Sequence, residues 1–163
     1  MKQVSNPPIL HSDRCVLNGI TSSDIPTLRN IVEDKLFHQC LPELYDVLRG
    51  EHGIYQLLSS FQAYTQNGEG VLWGIRVQTI LIGFVAIMDM PYDSTIFYAM
   101  HPEYRNKGYA RESVAVAVAH YKLMSATPLR TEVYPFNHDS LKILLSCGFK
   151  IAGMKDGKVL LKL

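Results

Sequence analysis

Apolar residues recur along this chain with two different periods, helical in its first third and close to strand-like in much of the rest. Asp13 to Asn18 reads as a first strand. Ser22-Ser23-Asp24-Ile25-Pro26 then offers capping side chains and a proline suited to a first helical turn, ahead of Leu28, Ile31 and Val32 at helical spacing. A helix is predicted from near Asp24. Between Leu36 and Tyr64 the residues Leu44, Val47, Leu48, Ile54, Leu57, Leu58 and Phe61 recur as on an amphipathic helix, with an interruption around Gly50 and Gly53. Two helices are expected there.

Past the polar stretch Gln66 to Gly70 the pattern changes. Val71 to Arg76 and Ile80 to Met88 are rich in β-branched and aromatic residues and predict a hairpin turned near Gln78. After a turn at Pro91-Tyr92-Asp93, Thr95 to Met100 is apolar at nearly every position, as expected of a central strand covered on both faces. Gly108 to Met124 reads as a helix, because Val114, Ala117, Val118, Tyr121 and Met124 fall on one stripe. Thr131 to Tyr134 predicts a strand and Asn137 to Cys147 a short helix. Two closing strands are expected around Lys150 to Met154 and Lys158 to Leu163, turned at Asp156-Gly157. The order is α+β with mixed strands, without internal repeat or interdomain linker.

Composition narrows the class. A chain of 163 residues, 47% apolar and 19% charged, fits one globular domain over residues 1–163 and excludes disordered and coiled-coil classes. Sixteen basic against fifteen acidic residues leave a net charge of +1, so no global field draws the protein to nucleic acid or to anionic membrane. The longest apolar run, Ile80 to Met88, is nine residues, far short of the roughly twenty that span a bilayer. Met1 to Leu10 lacks the apolar core of a secretory signal. Cys15, Cys40 and Cys147 are odd in number and widely spaced, which suits free thiols and a cytoplasmic location. The six histidines show no His-x-x-x-His spacing, so no metal is expected.

Chemistry concentrates in His101-Pro102-Glu103-Tyr104-Arg105-Asn106-Lys107-Gly108-Tyr109-Ala110-Arg111, between the buried strand and the long helix. A helix N-terminus already carries partial positive charge, so each of Arg105, Lys107 and Arg111 should cost about 0.3–1 kcal/mol unless an anion neutralises it. The free N–H groups of the first turn, with Gly108 and Ala110 too small to block approach, suit a phosphate or diphosphate. The bland alternative is a solvated basic loop. Neither Gly-x-x-x-x-Gly-Lys-Ser/Thr nor Gly-x-Gly-x-x-Gly is present, so nucleotide hydrolysis is unsupported.

Arg105-x-x-Gly108-x-Ala110 resembles the Arg/Gln-x-x-Gly-x-Gly/Ala signature of the GCN5-related N-acetyltransferase (GNAT) family, whose members bind the diphosphate of acetyl-CoA. Asn137-x-x-Ser140 opening a helix and Cys147-Gly148-Phe149 closing it agree in order. The stretch from Leu10 to Leu28 and the strand containing Gly83 resemble the RimJ/RimL branch, which acetylates ribosomal-protein N-termini and related small amines. The likeness is thinnest between His38 and Glu69.

The resemblance implies a mixed central sheet of about six to seven strands flanked by about four helices. It implies acetyl-CoA as co-substrate and no metal. It places the pantetheine arm along the strand end at Tyr98, Ala99 and Met100, and the diphosphate on Arg105, Asn106, Lys107, Gly108, Tyr109, Ala110 and Arg111. Asn137 and Ser140 would lie beside pantetheine and sulfur. Many members carry a tyrosine seven residues after that asparagine as the acid for the departing thiolate, and here that residue is Leu144. Ser140 is then the candidate to stabilise the thiolate, with a structural role in the first turn of its helix as the alternative. Tyr98, Glu103, His101 and Glu112 are candidate proton acceptors. Each has a bland role as core residue, loop carboxylate, strand-end residue or helix-terminal charge, respectively.

Holding two reactants together contributes roughly 7–11 kcal/mol, whereas a general base gives about 10²–10⁴-fold, so an inconspicuous base is compatible with an enzyme. The expected activity is transfer of an acetyl group to a primary amine, on a small molecule or a peptide N-terminus, by direct attack on the thioester. A catalytically silent coenzyme A-binding sensor of the same fold is the alternative, motivated by Leu144. An amine acceptor is the expected partner and a homodimer is left open. Nucleic acid and membrane are not expected.

Overall fold

The computed structural model describes residues 6–163. Its centre is an eight-stranded sheet in the order β1-β2-β3-β4-β5-β6-β8-β7. The strands are β1 (Leu10–His11), β2 (Val16–Asn18), β3 (Val71–Val77), β4 (Ile80–Met88), β5 (Thr95–Met100), β6 (Arg130–Val133), β7 (Lys150–Lys155) and β8 (Lys158–Lys162). Six α-helices accompany them: α1 (Ile25–Val32), α2 (Lys35–Cys40), α3 (Pro42–Leu48), α4 (Gly53–Asn67), α5 (Tyr109–Met124) and α6 (His138–Ser146). The mixed α/β class agrees with the expectation, but strands and helices both exceed the expected numbers.

The differences have local causes. The predicted strand at Asp13 to Asn18 is present over Val16–Asn18 as β2, and β1 precedes it as the other arm of a narrow ribbon, in which Ser12 N–H donates to the Cys15 carbonyl and Leu10 pairs with Leu17. The predicted pair of helices between Leu36 and Tyr64 is three, because Pro42 starts a new helix directly after Leu41. The interruption stands where expected, with Gly50 between α3 and α4 and Gly53 opening α4.

The two sheet faces hold separate apolar clusters. Trp73, Ile75, Ile82, Val85, Ile87 and Ile96 pack against Val114, Ala117, Val118 and Tyr121 of α5 and Leu144 of α6. Leu72, Leu81, Phe84 and Ala86 pack against Ile25, Leu28 and Ile31 of α1, Phe37 of α2 and Phe61 of α4. Four of the five stripe residues of α5 are buried, whereas Met124 at its end is exposed. β5 lies centrally between β4 and β6, with Ile96 and Met100 buried on one face and Phe97 and Ala99 partly buried on the other.

Every neighbouring pair among the described strands is antiparallel except β5 with β6. That parallel pair registers only at Thr95 and Arg130, where Arg130 N–H also donates to the Ser94 carbonyl at 2.9 Å. Beyond it the two strands part. β5 stays paired along its full length with β4, and β6 with β8. The sheet is therefore held from both sides of a gap, with main-chain groups on the two facing edges free of ladder partners. No described helix is long and apolar enough to cross a membrane.

Candidate functional site

The gap opens into a cleft of about 360 Å³. Tyr98, Ala99 and Met100 of β5 line one side and Thr131, Glu132 and Val133 of β6 the other. Asn106, Gly108, Tyr109, Ala110 and Arg111 stand at one end, and Asn137 and Ser140 lie along the α6 side. Leu36, Phe37, Cys40 and Leu41 form the wall contributed by α2.

The end at α5 is shaped by backbone conformation. His101 leads into a 3-10 turn over Pro102–Tyr104, and its Nδ1 accepts the Glu103 N–H at 3.2 Å. Asn106 and Gly108 then adopt positive φ of 58° and 85°, a region that Asn and Gly tolerate. Gly108 is the N-cap of α5 and offers no capping side chain. The N–H groups of Tyr109, Ala110 and Arg111 consequently have no partner within the helix, and the first intrahelical bond is Glu112 N–H to the Gly108 carbonyl.

The cations of the segment are arranged differently from expectation. Arg105 is not an uncompensated charge: its Nη2 donates to Asp34 Oδ2 at 2.8 Å. Lys107 is exposed, bonds the Glu103 carbonyl at 2.9 Å and is not among the cleft-lining residues. Arg111 lines the cleft and makes no ion pair among the described residues. The charge argument for an anion therefore reduces to Arg111, the helix terminus and whatever donors of Arg105 remain free.

A second clasp holds α5 from the ribbon before it. Glu112 accepts hydrogen bonds from Ser12 Oγ, Arg14 N–H and Arg14 Nε at 2.6, 2.9 and 2.9 Å. Arg14 Nη2 reaches the Lys107 carbonyl at 2.9 Å, and its guanidinium lies 4.2 Å from the centre of the Tyr109 ring. Burial alone would raise the Glu112 carboxyl, but the Ser12 and Arg14 bonds more than reverse it and hold it below the ordinary value. Glu112 is a structural latch, since its lone pairs are already engaged. His101 likewise serves as a turn cap, and Glu103 is exposed outside the cleft lining.

Deeper in the cleft, Asn137 caps α6 by accepting Ser140 N–H at 3.3 Å. The Ser140 hydroxyl is not spent on the first turn. Its Oγ lies 2.6 Å from the Tyr98 hydroxyl, which joins β5 to α6 across the cleft floor. Burial pushes the Tyr98 hydroxyl well above its ordinary range, against the opposing effect of the Ser140 bond, so it stays protonated at neutral pH. Tyr98 thereby keeps its hydrogen, and either hydroxyl of the pair can be the donor to the other. Leu144 is fully buried in the core beneath α6, away from the cleft lining.

Asp34, Arg14 and Glu132 were not singled out by sequence reasoning. Asp34 carried a legible signal, as an Asp one residue before a helix, but its pairing with Arg105 spans 71 positions. Glu132 is exposed between buried Thr131 and Val133 and lines the cleft, with Lys158 Nζ 3.8 Å from its carboxylate. Among the described residues no group of three His, Cys, Asp or Glu side chains is placed to hold a metal ion.

A family model described as an acetyltransferase (GNAT) domain matches residues 14–150. None of the curated proteins compared matches the chain by sequence. Solved structures do match in fold. RimL, a ribosomal L7/L12 α-N-protein acetyltransferase in complex with coenzyme A, aligns with a TM-score of 0.80 at 15% identity, covering 95% of this chain and 96% of that one. Ribosomal-protein-S5-alanine acetyltransferase from Vibrio fischeri aligns with a TM-score of 0.74 at 17% identity, covering 96% of each chain. RimJ from Mycobacterium smegmatis, in complex with a coenzyme A disulfide, aligns with a TM-score of 0.72 at 16% identity, covering 97% of this chain and 86% of that one.

Proposed function

Because this chain belongs to the GNAT acetyltransferase family and is thereby an N-acetyltransferase, we propose that it moves the acetyl group of acetyl-CoA to a primary amine in the cleft between β5 and β6, residues 1–163 acting as one catalytic domain. The observation that carries this reading is the parted β5–β6 pair, with an uncapped helix terminus at one end and a hydroxyl pair inside.

The residues present fit the ligand. Free main-chain N–H groups of Tyr109, Ala110 and Arg111 suit the diphosphate, and Gly108 and Ala110 leave room for it. The Arg111 guanidinium adds charge, and Asn106 shares the wall. The free edge of β5 at Tyr98, Ala99 and Met100 presents amide and carbonyl groups to the two amides of a pantetheine arm. Asn137 and Ser140 lie on the opposite side.

Acetyl-CoA supplies a thioester whose carbonyl carbon takes the amine lone pair and whose sulfur leaves with the bonding electrons, and the proton given up by the attacking nitrogen balances the one that the departing thiolate takes up. Tyr98 and Ser140 then act on that sulfur. One hydroxyl hydrogen of the pair is used between the two oxygens, and when Tyr98 is the donor the Ser140 hydrogen is left for the thiolate. The pair takes the place of the tyrosine that Leu144 replaces. The amine must be neutral to attack. An α-amine with pKa near 8 is partly neutral at pH 7, whereas lysine near 10.4 is almost wholly charged, so α-amines need less help from a base. The ribosomal-protein substrates in the names of RimL and the Vibrio enzyme support a peptide N-terminus as the acceptor.

Release of free thiol from acetyl-CoA, measured against a panel of N-terminal peptides and small amines, tests the reading. Amine-dependent release is expected, with α-amines preferred over lysine side chains. Binding of acetyl-CoA with no release for any amine would contradict it.

A further inference from the structure

We propose that Asp34 and Arg105 form a strut that couples the diphosphate loop to the α2 wall of the cleft, so that coenzyme A in the loop steadies α2 and α3. The strut rests on the coenzyme A reading above and adds a connection between the loop and that wall.

One carboxylate oxygen carries the link. Asp34 Oδ2 accepts Leu36 N–H at 3.0 Å, Phe37 N–H at 3.3 Å and Arg105 Nη2 at 2.8 Å. The first turn of α2 and the guanidinium at the head of the cofactor loop therefore share an anchor. The two side chains are 23% and 21% exposed, so solvent screens the pair less than it would a fully exposed one. Burial would raise the Asp34 carboxyl, yet Arg105 and the two N–H groups hold it below its ordinary value.

α2 depends on this anchor. It has six residues, too few to be stable as an isolated helix, and Phe37 is its only buried residue. Its remaining contributions, Leu36 and Cys40 with Leu41 just beyond, line the cleft. Beyond α2, α3 is fixed by buried Leu48 and by Lys158 Nζ on exposed Glu43 Oε1 at 3.0 Å. Asp34 is thus the polar anchor of the segment at its α2 end, where it borders the cleft.

An arginine fork presents five N–H donors, and Asp34 engages one nitrogen of Arg105, which leaves others for an anionic ligand. Ordering the loop around a diphosphate fixes the base of the Arg105 side chain. The strut then costs less entropy to maintain, and α2 is ordered with it. The coupling is reciprocal, so any ligand that settles against α2 also tightens coenzyme A. Asp34 is in this sense a positioning residue, acting through Arg105.

Amide hydrogen exchange with and without saturating coenzyme A tests the strut. In the wild type, coenzyme A is expected to slow exchange both at 108–112 and across 36–48, the latter at least about threefold. Asp34→Asn keeps the helix cap and removes the charge; there, protection at 108–112 persists and the slowing across 36–48 disappears. Arg105→Met, which leaves the cap untouched, gives the same loss. Protection at 108–112 without any change across 36–48 in the wild type overturns the strut alone, as does unchanged coupling in both variants. No protection at 108–112 in the wild type overturns the coenzyme A reading and the strut with it.

Discussion

The Tyr98 hydroxyl and the Ser140 Oγ meet at 2.6 Å, joining a central strand to a helix on the other side of the cleft. A hydrogen bond to an ionised group contributes about 1.5–3 kcal/mol. Ser140→Ala and Tyr98→Phe should each lower kcat about 10- to 100-fold while leaving acetyl-CoA affinity within about threefold. Steady-state kinetics beside calorimetry separates the two effects. Equal turnover in Ser140→Ala would reduce that hydroxyl to a packing contact.

Much of this site was legible before the fold was known. The strand, the Arg105 to Ala110 signature and the Asn137 cap are local features, and each needs only a few consecutive residues to be recognised. Pairings across the chain were not legible. Arg105 looked like a free cation because Asp34, its partner, lies 71 positions away. Glu112 looked available as a base because nothing near it in sequence reveals Ser12 and Arg14. The split of the middle helices at Pro42 was missed for a different reason: apolar spacing continues across the break, and the proline sits where it can start a helix as readily as stop one.

Gly108 should resist substitution. Its φ of 85° disfavours any side chain, and a Cβ there would lie 2.9 Å from Arg14 Nη2. Gly108→Ala is expected to cost about 1–2 kcal/mol in stability, read by chemical denaturation, and to weaken acetyl-CoA binding by disturbing the N–H groups of the first turn of α5.

Gly83 faces a tighter constraint on the other side of β5. An added Cβ would stand 2.5 Å from the Ala99 carbonyl oxygen and 2.7 Å from Met100 Sδ. Gly83→Ala should therefore push the end of β5 toward the cleft and weaken acetyl-CoA binding about tenfold or more, a change of about 1.4 kcal/mol. Unaltered affinity would mean that the β5 edge is not part of the cofactor wall.

Acid stability should depend on Asp24. Its two carboxylate oxygens receive Arg76 Nη1 and Nη2 at 3.0 and 2.7 Å, in a pair only 11% and 14% exposed. Burial would raise this carboxyl, but Arg76 and the Thr21 N–H more than reverse it, so its folded value lies below its unfolded one. The stabilisation is present above the ordinary aspartate value of about 3.9 and is lost as pH falls from there through the lower folded value. Asp24→Asn should cost about 3 kcal/mol at neutral pH, because Arg76 loses its counter-charge. It should also flatten the part of the stability curve below about pH 4. Urea titrations at several pH values check both, and a variant as stable as the wild type at neutral pH would contradict the account.

Arg111 is the cleft-lining cation of the loop that makes no ion pair among the described residues. Arg111→Glu should weaken acetyl-CoA binding at least about tenfold, on the scale of one charge-assisted bond, with the same melting temperature as the wild type. An equal affinity would leave the diphosphate held by main-chain groups alone.

Titration of acetyl-CoA into the unaltered protein in a calorimeter addresses the central claim most directly, since every role assigned to the cleft presupposes that ligand. Saturable one-to-one binding, weakened by Arg111→Glu, is the predicted result. A protein that remains folded and yields no binding heat at high-micromolar acetyl-CoA would contradict it.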